Sequence, residues 1–400
     1  MQALEGIKVL EMAVWAVGPA AGAVLGDWGA DVIKIEDPSG GDPMRALETL
    51  VGAPAPQKHS VFDVDNRNKR SIALDLKQEP GRKIAHELVK SADVFITNYR
   101  SAALKRLRMD YMSLSKLNPR LIYAFLSGYG EKGPEKDKAG YDNGAYWARG
   151  GFLVQLGADG TPPVLQYAGL GDQPTGLHAA GGIALALFVR ERTGIGQKVS
   201  LSLLRSAVWT QSLNIASAME YGELPRINRK AVANPLLNCY QAKDGKWLML
   251  LMLQPDRYWP DFCKATGLEK LEKDPKFCSI SARAVNSAEL ISILDQVFAT
   301  KTRDEWVMIF KGYDFLWDPG NTFADLVQDP QALANDAFFT MEHPNKGLVK
   351  VPASPIDFSM CSISIRRHPP ELGEHTEEIL LEMGYTWGDI TKLKDSKVIL

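Results

Sequence analysis

Net charge is nearly absent from this chain of 400 residues: 46 lysines and arginines stand against 48 aspartates and glutamates, a formal charge of −2. That balance gives no reason to expect a nucleic-acid or membrane-surface partner, although a local basic patch for a small anion stays open. Cysteine is scarce. The four cysteines, at 239, 263, 278 and 361, never fall in C-x-x-C spacing. This excludes a zinc ribbon, a thioredoxin-type motif and a disulfide scaffold, and points to free thiols in a reducing compartment. No run of 18 apolar residues is free of charge, so no spanning helix is expected. The first stretch, MQALEGIKVLEMAV, carries a charge inside its apolar run and has no basic segment before it. It does not read as a signal peptide, and a cytoplasmic protein is expected. The six histidines, at 59, 86, 178, 343, 368 and 375, include no pair at metal-ligand helical spacing, so no metal is expected. Repeats and low-complexity tracts are missing as well.

What is present is an ordinary globular composition, 45% hydrophobic and 24% charged, which excludes disorder as the main state. The length suggests two or three lobes. Residues 7–12 read as a buried strand, 19–28 as an Ala-rich helix behind Gly18-Pro19, and 31–36 as a second strand. Strand, helix and strand in about 30 residues make a βαβ unit, and so a parallel sheet with a right-handed crossover. The alternation continues: strand 71–76, helix 79–91, strand 93–97, helical 101–117, strand 121–127, a long helix 172–193, strand 197–204 and helical 205–221. A doubly wound, Rossmann-like α/β domain is the expectation. From about residue 222 the character changes, with a hairpin turning at Asp244-Gly245. The predicted organisation is a large α/β domain over 1–222 plus 339–400 and a smaller α+β domain over 226–338, with extended chain over 343–360 and a helical end over 374–394.

Two familiar chemistries fail on spacing. A dinucleotide site needs G-x-G-x-x-G after the first strand, but the turn here is Val17-Gly18-Pro19-Ala20-Ala21-Gly22, where proline removes an N–H. A serine hydrolase needs G-x-S-x-G, but Ser127-Gly128-Tyr129-Gly130 lacks the leading glycine. The most pointed feature is Gly169-Leu170-Gly171-Asp172, which opens the long helix. On spacing alone Asp172 reads first as an N-cap that accepts first-turn N–H groups. The alternative is a carboxylate kept ionised by the helix N-terminus and used as a covalent nucleophile, with glycines clearing the approach.

At this point the chain resembles the class III CoA-transferases (the CaiB/BaiF family), which include formyl-CoA, carnitine and bile-acid CoA-transferases and α-methylacyl-CoA racemase. The resemblance runs in order through Gly18-Pro19, Trp28-Gly29-Ala30-Asp31-Val32-Ile33-Lys34-Ile35-Glu36, Gly41-Asp42-Pro43 with Arg45, and Asn68-Lys69-Arg70-Ser71. It continues through Ala92-Asp93-Val94 with Asn98-Tyr99-Arg100, Ser127-Gly128-Tyr129-Gly130, Gly171-Asp172, Thr193-Gly194-Ile195-Gly196-Gln197, Lys243-Asp244-Gly245-Lys246-Trp247 and Met383-Gly384-Tyr385. It covers nearly the whole chain and overrides the N-cap reading of Asp172.

The resemblance implies a homodimer of interlocked chains, acyl-CoA and a free carboxylic acid as substrates, and no permanently bound cofactor. It implies that Asp172 is the nucleophile, passing through an aspartyl anhydride and an aspartyl-CoA thioester. Coenzyme A would contact Val14, Trp15, Ala16, Val17, Leu74, Lys77, Asn98, Tyr99, Arg106, Leu107 and Lys138. One position departs from the pattern: many relatives place arginine after the strand-end glutamate, whereas this chain has Asp37, an acid that repels phosphate. Racemases of the family carry a Gly-His-Asp motif. The matching stretch is Gly140-Tyr141-Asp142, and an ordinary tyrosine is a poor base at neutral pH. Transfer is therefore favoured over racemisation, with a non-catalytic CoA-binding protein as a further alternative. Oxalate-using relatives have glutamine where this chain has Ala16. With Trp15, Ala16, Tyr141, Met252 and Leu253 as expected substrate contacts, an apolar, aromatic or 2-hydroxy acyl group is favoured. The segments 128–134 and 148–151 look most like the aryl-lactate and 2-hydroxyisocaproate enzymes.

Overall fold

A computed structural model describes residues 1–47, 61–167 and 169–400. The chain divides into two compact units. One holds Met1–Leu153, Leu165–Gly222 and Asn335–Leu400, and the other holds Val154–Val164 and Glu223–Ala334.

The first unit is built on six parallel strands: β1 (Lys8–Met12), β2 (Asp31–Glu36), β3 (Lys69–Ala73), β4 (Val94–Thr97), β5 (Ile122–Ser127) and β6 (Lys198–Ser202), in the order β3-β2-β1-β4-β5-β6. Between them run α1 (Val17–Asp27), α2 (Val61–Asn66), α3 (Glu79–Ser91), α4 (Ser101–Leu107), α5 (Tyr111–Leu117) and α6 (Asp172–Thr193). After β6 come α7 (Leu203–Thr210) and α8 (Ser212–Tyr221). Successive strand residues point to opposite faces. Val9, Val94 and Ile96 accordingly join one core with α1 and α6, while Leu10, Met12 and Phe95 join another with α3. Strands buried on both faces read as continuous apolar runs, which is why β1, β4 and β5 are visible in sequence.

Three boundaries differ from expectation, each for a local reason. β3 starts at Lys69, two residues earlier than its apolar run, because partners satisfy its charges. Lys69 lies 2.7 Å from Glu11, and Arg70 pairs with Asp31, Glu378 and Glu382. The helical stretch 101–117 is two helices, since Arg108 turns left-handed at φ +56° and Asp110 caps α5 by accepting from the Ser113 N–H. The stretch 205–221 is also two, with Ser202 capping α7 and a break at Gln211. The long helix α6 spans Asp172–Thr193 as expected and stops at Gly194, which takes φ +73° as C-terminal glycines do.

In the second unit, β7 (Cys239–Gln241), β8 (Trp247–Leu250) and β9 (Trp317–Gly320) form an antiparallel sheet in that order. The Asp244-Gly245 turn closes the β7–β8 hairpin, with Gly245 at φ +78°. Helices α9 (Pro255–Thr266), α10 (Ser287–Phe298) and α11 (Arg303–Phe310) supply an aromatic core around Tyr240, Trp259, Phe262, Phe298, Trp306 and Phe310. Arg226 ties in the early segment by donating to the carbonyls of Ala158 and Thr161, both at 3.1 Å. The chain closes in the first unit with an antiparallel pair, β10 (Phe338–His343) and β11 (Gly347–Pro352), then α12 (Thr376–Glu382) and α13 (Trp387–Asp395). Among the described residues, no helix is long and apolar enough to cross a membrane.

Candidate active site

In parallel sheets of this order, ligands bind at the carboxyl ends of the strands where the strand sequence reverses, here between β1 and β4. A cavity of about 350 Å³ opens there, walled by Val14 and Trp15 after β1, Asn98 and Tyr99 after β4, the end of β5, the 136–142 segment and Asp172.

Asp172 is the first residue of α6, and the cap position belongs to Gly171. No hydrogen bond or ion pair reaches the Asp172 carboxylate among the described residues, so the N-cap role does not apply. The group is half-buried against the cavity. Burial, and then the carboxylates of Asp142 and Asp65, push it up to about 7. The helix N-terminus at its back favours the charged form and works against that shift. Among the described residues the carboxylate thus has no partner, and it is poised between its two protonation states near neutral pH.

The turn that delivers Asp172 is fastened by Asp142. Its Oδ2 accepts from the Gly169 N–H at 2.8 Å and its Oδ1 from the Gly171 N–H at 3.1 Å. Gly171 has to be glycine, since a Cβ would stand 2.2 Å from the Tyr146 ring and 2.6 Å from Asp142 Oδ1. Sequence reasoning weighed Tyr141 in this stretch and passed over Asp142. No local signal marks it, because the N–H groups it accepts lie 27 and 29 residues later in the chain. Gln173, next to Asp172, donates to both oxygens of buried Asp65, at 2.8 and 3.0 Å.

The opposite wall is the loop after β1. Asn98 grips Val14 twice, accepting from its N–H at 3.0 Å and donating to its carbonyl at 2.6 Å. Trp15 follows in a left-handed conformation, φ +65°. Its N–H donates to Asp42 Oδ1 at 2.9 Å, and its ring meets Tyr141 edge-on with centroids 5.8 Å apart. Lys136 and Lys138 lie on the rim. Lys138 is engaged with Glu135 at 3.0 Å and lies over the Tyr129 ring.

Of the residues singled out in sequence, Val14, Trp15, Val17, Asn98, Tyr99, Lys138, Tyr141 and Asp172 border this one cavity. Leu74, Lys77, Arg106 and Leu107 border a smaller one of about 150 Å³, and Tyr99 belongs to both. At its edge Lys77 and Asp37 pair at 3.1 Å. Ala16, also expected at the site, borders neither cavity; it is buried in a cluster with Met44 and Phe62. Met252 is fully buried in the aromatic core of the second unit. Its N–H donates to Leu236 and its carbonyl accepts from Asn234, both at 2.9 Å. Leu253, the next residue, points out at 73% exposure. Among the described residues, no three His, Cys, Asp or Glu side chains come together in a way that could hold a metal ion.

The fold sets a cleft at the strand ends, with a carboxylate at a helix start that has no partner among the described residues. Comparison with known proteins gives the class of enzyme. The family model for CoA-transferase family III matches residues 4–376, and the chain belongs to that family. It is 38% identical to the cinnamoyl-CoA:phenyllactate CoA-transferase of Clostridium sporogenes over 99% of this chain and 97% of the relative. It is 34% identical to the (R)-2-hydroxy-4-methylpentanoate CoA-transferase of Clostridioides difficile, over 99% of both. A crystal structure of a CaiB/BaiF family protein from Brucella suis superposes with TM-score 0.85 at 30% identity, covering 96% of this chain and 99% of that one. The protein is therefore a CoA-transferase, and CoA thioesters are its substrates.

Proposed function

We propose that this enzyme moves coenzyme A from an acyl-CoA to an aromatic or branched 2-hydroxy acid through covalent intermediates on Asp172. The observation that carries the reading is the Asp172 carboxylate, facing the cavity with no partner among the described residues. The ionised carboxylate attacks the thioester carbonyl, the C–S bond breaks, and CoA leaves as a thiolate. The product on the enzyme is a mixed anhydride. The thiolate then attacks the aspartyl carbonyl, releasing the donor acid and leaving an aspartyl-CoA thioester. The acceptor carboxylate attacks that thioester, frees the thiolate again and forms a second anhydride. Thiolate attack on the acceptor's carbonyl yields the new acyl-CoA and restores the carboxylate. Two exchanges replace one difficult transfer, and a site closed to water preserves the thioester energy.

In this reading the loop after β1, with Asn98, Tyr99 and Lys138, holds the pantetheine and phosphate portion. The smaller cavity of Leu74, Lys77, Arg106 and Leu107 takes the adenine end. Trp15 and Tyr141 present aromatic edges to the acyl group, which suits acids of the kind named for the two clostridial relatives. Leu253 stays in the proposal as a substrate contact. A dimer is also proposed, because α6, α7 and α8 expose Phe188, Trp209, Leu213 and Met219. Light scattering of the purified chain tests this, and a monomer at micromolar concentration refutes it. The chemistry is tested by incubating cinnamoyl-CoA with phenyllactate and following new acyl-CoA by mass spectrometry. Hydroxylamine should attack the aspartyl thioester, expel coenzyme A and leave a hydroxamate on the Asp172 side chain of the enzyme. Turnover that survives in Asp172→Asn, or deuterium entering a 2-methylacyl-CoA without an acceptor acid, would overturn the assignment.

A further inference from the structure

Four buried ions lie beneath the loop after β1, and no step of the transfer uses them. Lys34 of β2 is fully buried. Its ammonium donates to Glu11 Oε1 at 2.9 Å and to the Ala13 carbonyl at 2.8 Å, and it lies 2.9 Å from Asp42 Oδ2. The second oxygen of Glu11 is 2.7 Å from Lys69 Nζ, which in turn donates to the Pro19 carbonyl at 2.9 Å. α1 makes room for this cluster with Gly22, where a Cβ would stand 2.0 Å from Glu11 Oε2.

Buried ion pairs add little stability over well-packed apolar residues of the same volume, so stability alone does not explain four of them. Their contacts do. Lys34 holds the Ala13 carbonyl, and the opposite oxygen of Asp42 accepts the Trp15 N–H at 2.9 Å and the Met44 N–H at 2.9 Å. Trp15, a bulky residue at φ +65°, persists in such a conformation only where its surroundings over-determine it.

We propose that Asp42, fixed in place by Lys34 and through it by Glu11, is a positioning residue for acyl-CoA binding. It pins the Trp15 N–H, sets the left-handed turn and so holds the Trp15 ring against Tyr141 on the cavity wall. The inference rests on the reading of that cavity as the acyl-CoA site. Asp172 is placed independently, by α6 and Asp142, so a fault at Asp42 falls on binding and spares the covalent chemistry.

Asp42→Asn keeps an acceptor oxygen and removes the charge that faces Lys34. In this variant KM for the acyl-CoA should rise about tenfold while kcat stays within about threefold, as expected when binding shared by ground and transition states is lost. With 5-fluorotryptophan incorporated, the fluorine resonance of Trp15, assigned by its loss in Trp15→Phe, should shift or broaden. A purely structural role would lower the melting temperature and leave both readouts unchanged in the folded variant, and that result overturns the proposal. If Asp42→Asn does not fold, hydrogen exchange on the wild-type protein decides. The Trp15 amide should be protected more than a hundredfold over an unstructured amide, and an unprotected amide overturns the proposal. Should the wild type show no transfer at all, the functional reading fails alone, since the fluorine and exchange measurements still judge the positioning of Trp15.

Discussion

The two units solve the same problem with opposite materials. The second unit is held by stacked and edge-on rings, with Phe310 meeting Phe262, Phe298, Phe315 and Trp317 at 5.0–6.5 Å. The first unit has apolar cores too, but between β1, β2, β3 and α1 it buries Glu11, Lys34 and Lys69 completely. The apolar burial that drives such packing is non-directional and tolerates small shifts; ion pairs with hydrogen bonds fix atoms in one arrangement. The charged region lies under the loop that walls the cavity. Beneath this loop, buried charge fixes position more than it adds stability.

Three experiments should break or sharpen that contrast. The largest effect is expected at Asp172 itself. Asp172→Asn should cut turnover by at least about a thousandfold, since the covalent route is lost. It should also stabilise the fold. A carboxyl whose folded value is about 7, against 3.8 unfolded, binds more protons folded than unfolded between those limits. The native state therefore loses stability as pH rises through that window, fully so above about 7. Asparagine removes the penalty, so the variant should gain about 1–2 kcal/mol at pH 8, after allowing for solvent near the half-buried group, and nothing at pH 4. Urea titration at the two pH values checks this. An equal effect at both would show that burial of this charge is not the cause.

Next in size come paired substitutions, one in each region. Phe298→Ala should cost about 3–5 kcal/mol from the lost burial and the cavity left behind. Glu11→Gln should cost about as much, because it takes the paired carboxylate from the buried Lys69 ammonium and leaves Lys34 with Asp42 alone. The two should part company in the assay. At temperatures well below both melting transitions, the Phe298 variant should bind coenzyme A as the wild type does. The Glu11 variant should bind it less tightly, measurable by calorimetry with free coenzyme A. Equal binding by both would erase the distinction drawn between the regions.

How far sequence reached follows the same division. The apolar alternation of β1, α1 and β2 was legible, as was the span of α6, because each element declares itself within its own residues. The ion cluster was not. Glu11, Lys34, Asp42 and Lys69 are far apart in sequence, each reads alone as a solvated charge, and only the strand order brings them together. Asp142 escaped for a similar reason, its partners lying 27 and 29 residues later. The burial of Met252 was readable in the sequence. Leu248, Leu250 and Met252 are all fully buried, and extending the hairpin's alternation through the run puts Met252 inside and Leu253 outside. The resemblance supplied Asp172, which local spacing had ranked as a cap.

The smallest expected effect lies at the rim of the smaller cavity. Lys77 and Asp37 meet at 3.1 Å, but Lys77 keeps 75% of its side chain exposed and Asp37 keeps 39%. Exposed pairs of this kind contribute about 0–1 kcal/mol and weaken with salt. Lys77→Ala should therefore change the melting temperature by no more than about a degree or two. Its effect on coenzyme A binding should also be small, because Asp37 already neutralises the ammonium that a phosphate would seek. Asp37→Asn should do the reverse. It frees Lys77 and removes a repelling charge, so the affinity for coenzyme A should rise by about twofold to fivefold at low salt, and the gain should fade as ionic strength increases. Buried Glu11 differs on this point, since its contribution is shielded from salt. If the Asp37 effect persists at high salt, the rim of this cavity is less solvated than its exposure indicates, and the line between a positioning charge and a solvated one has to be redrawn there.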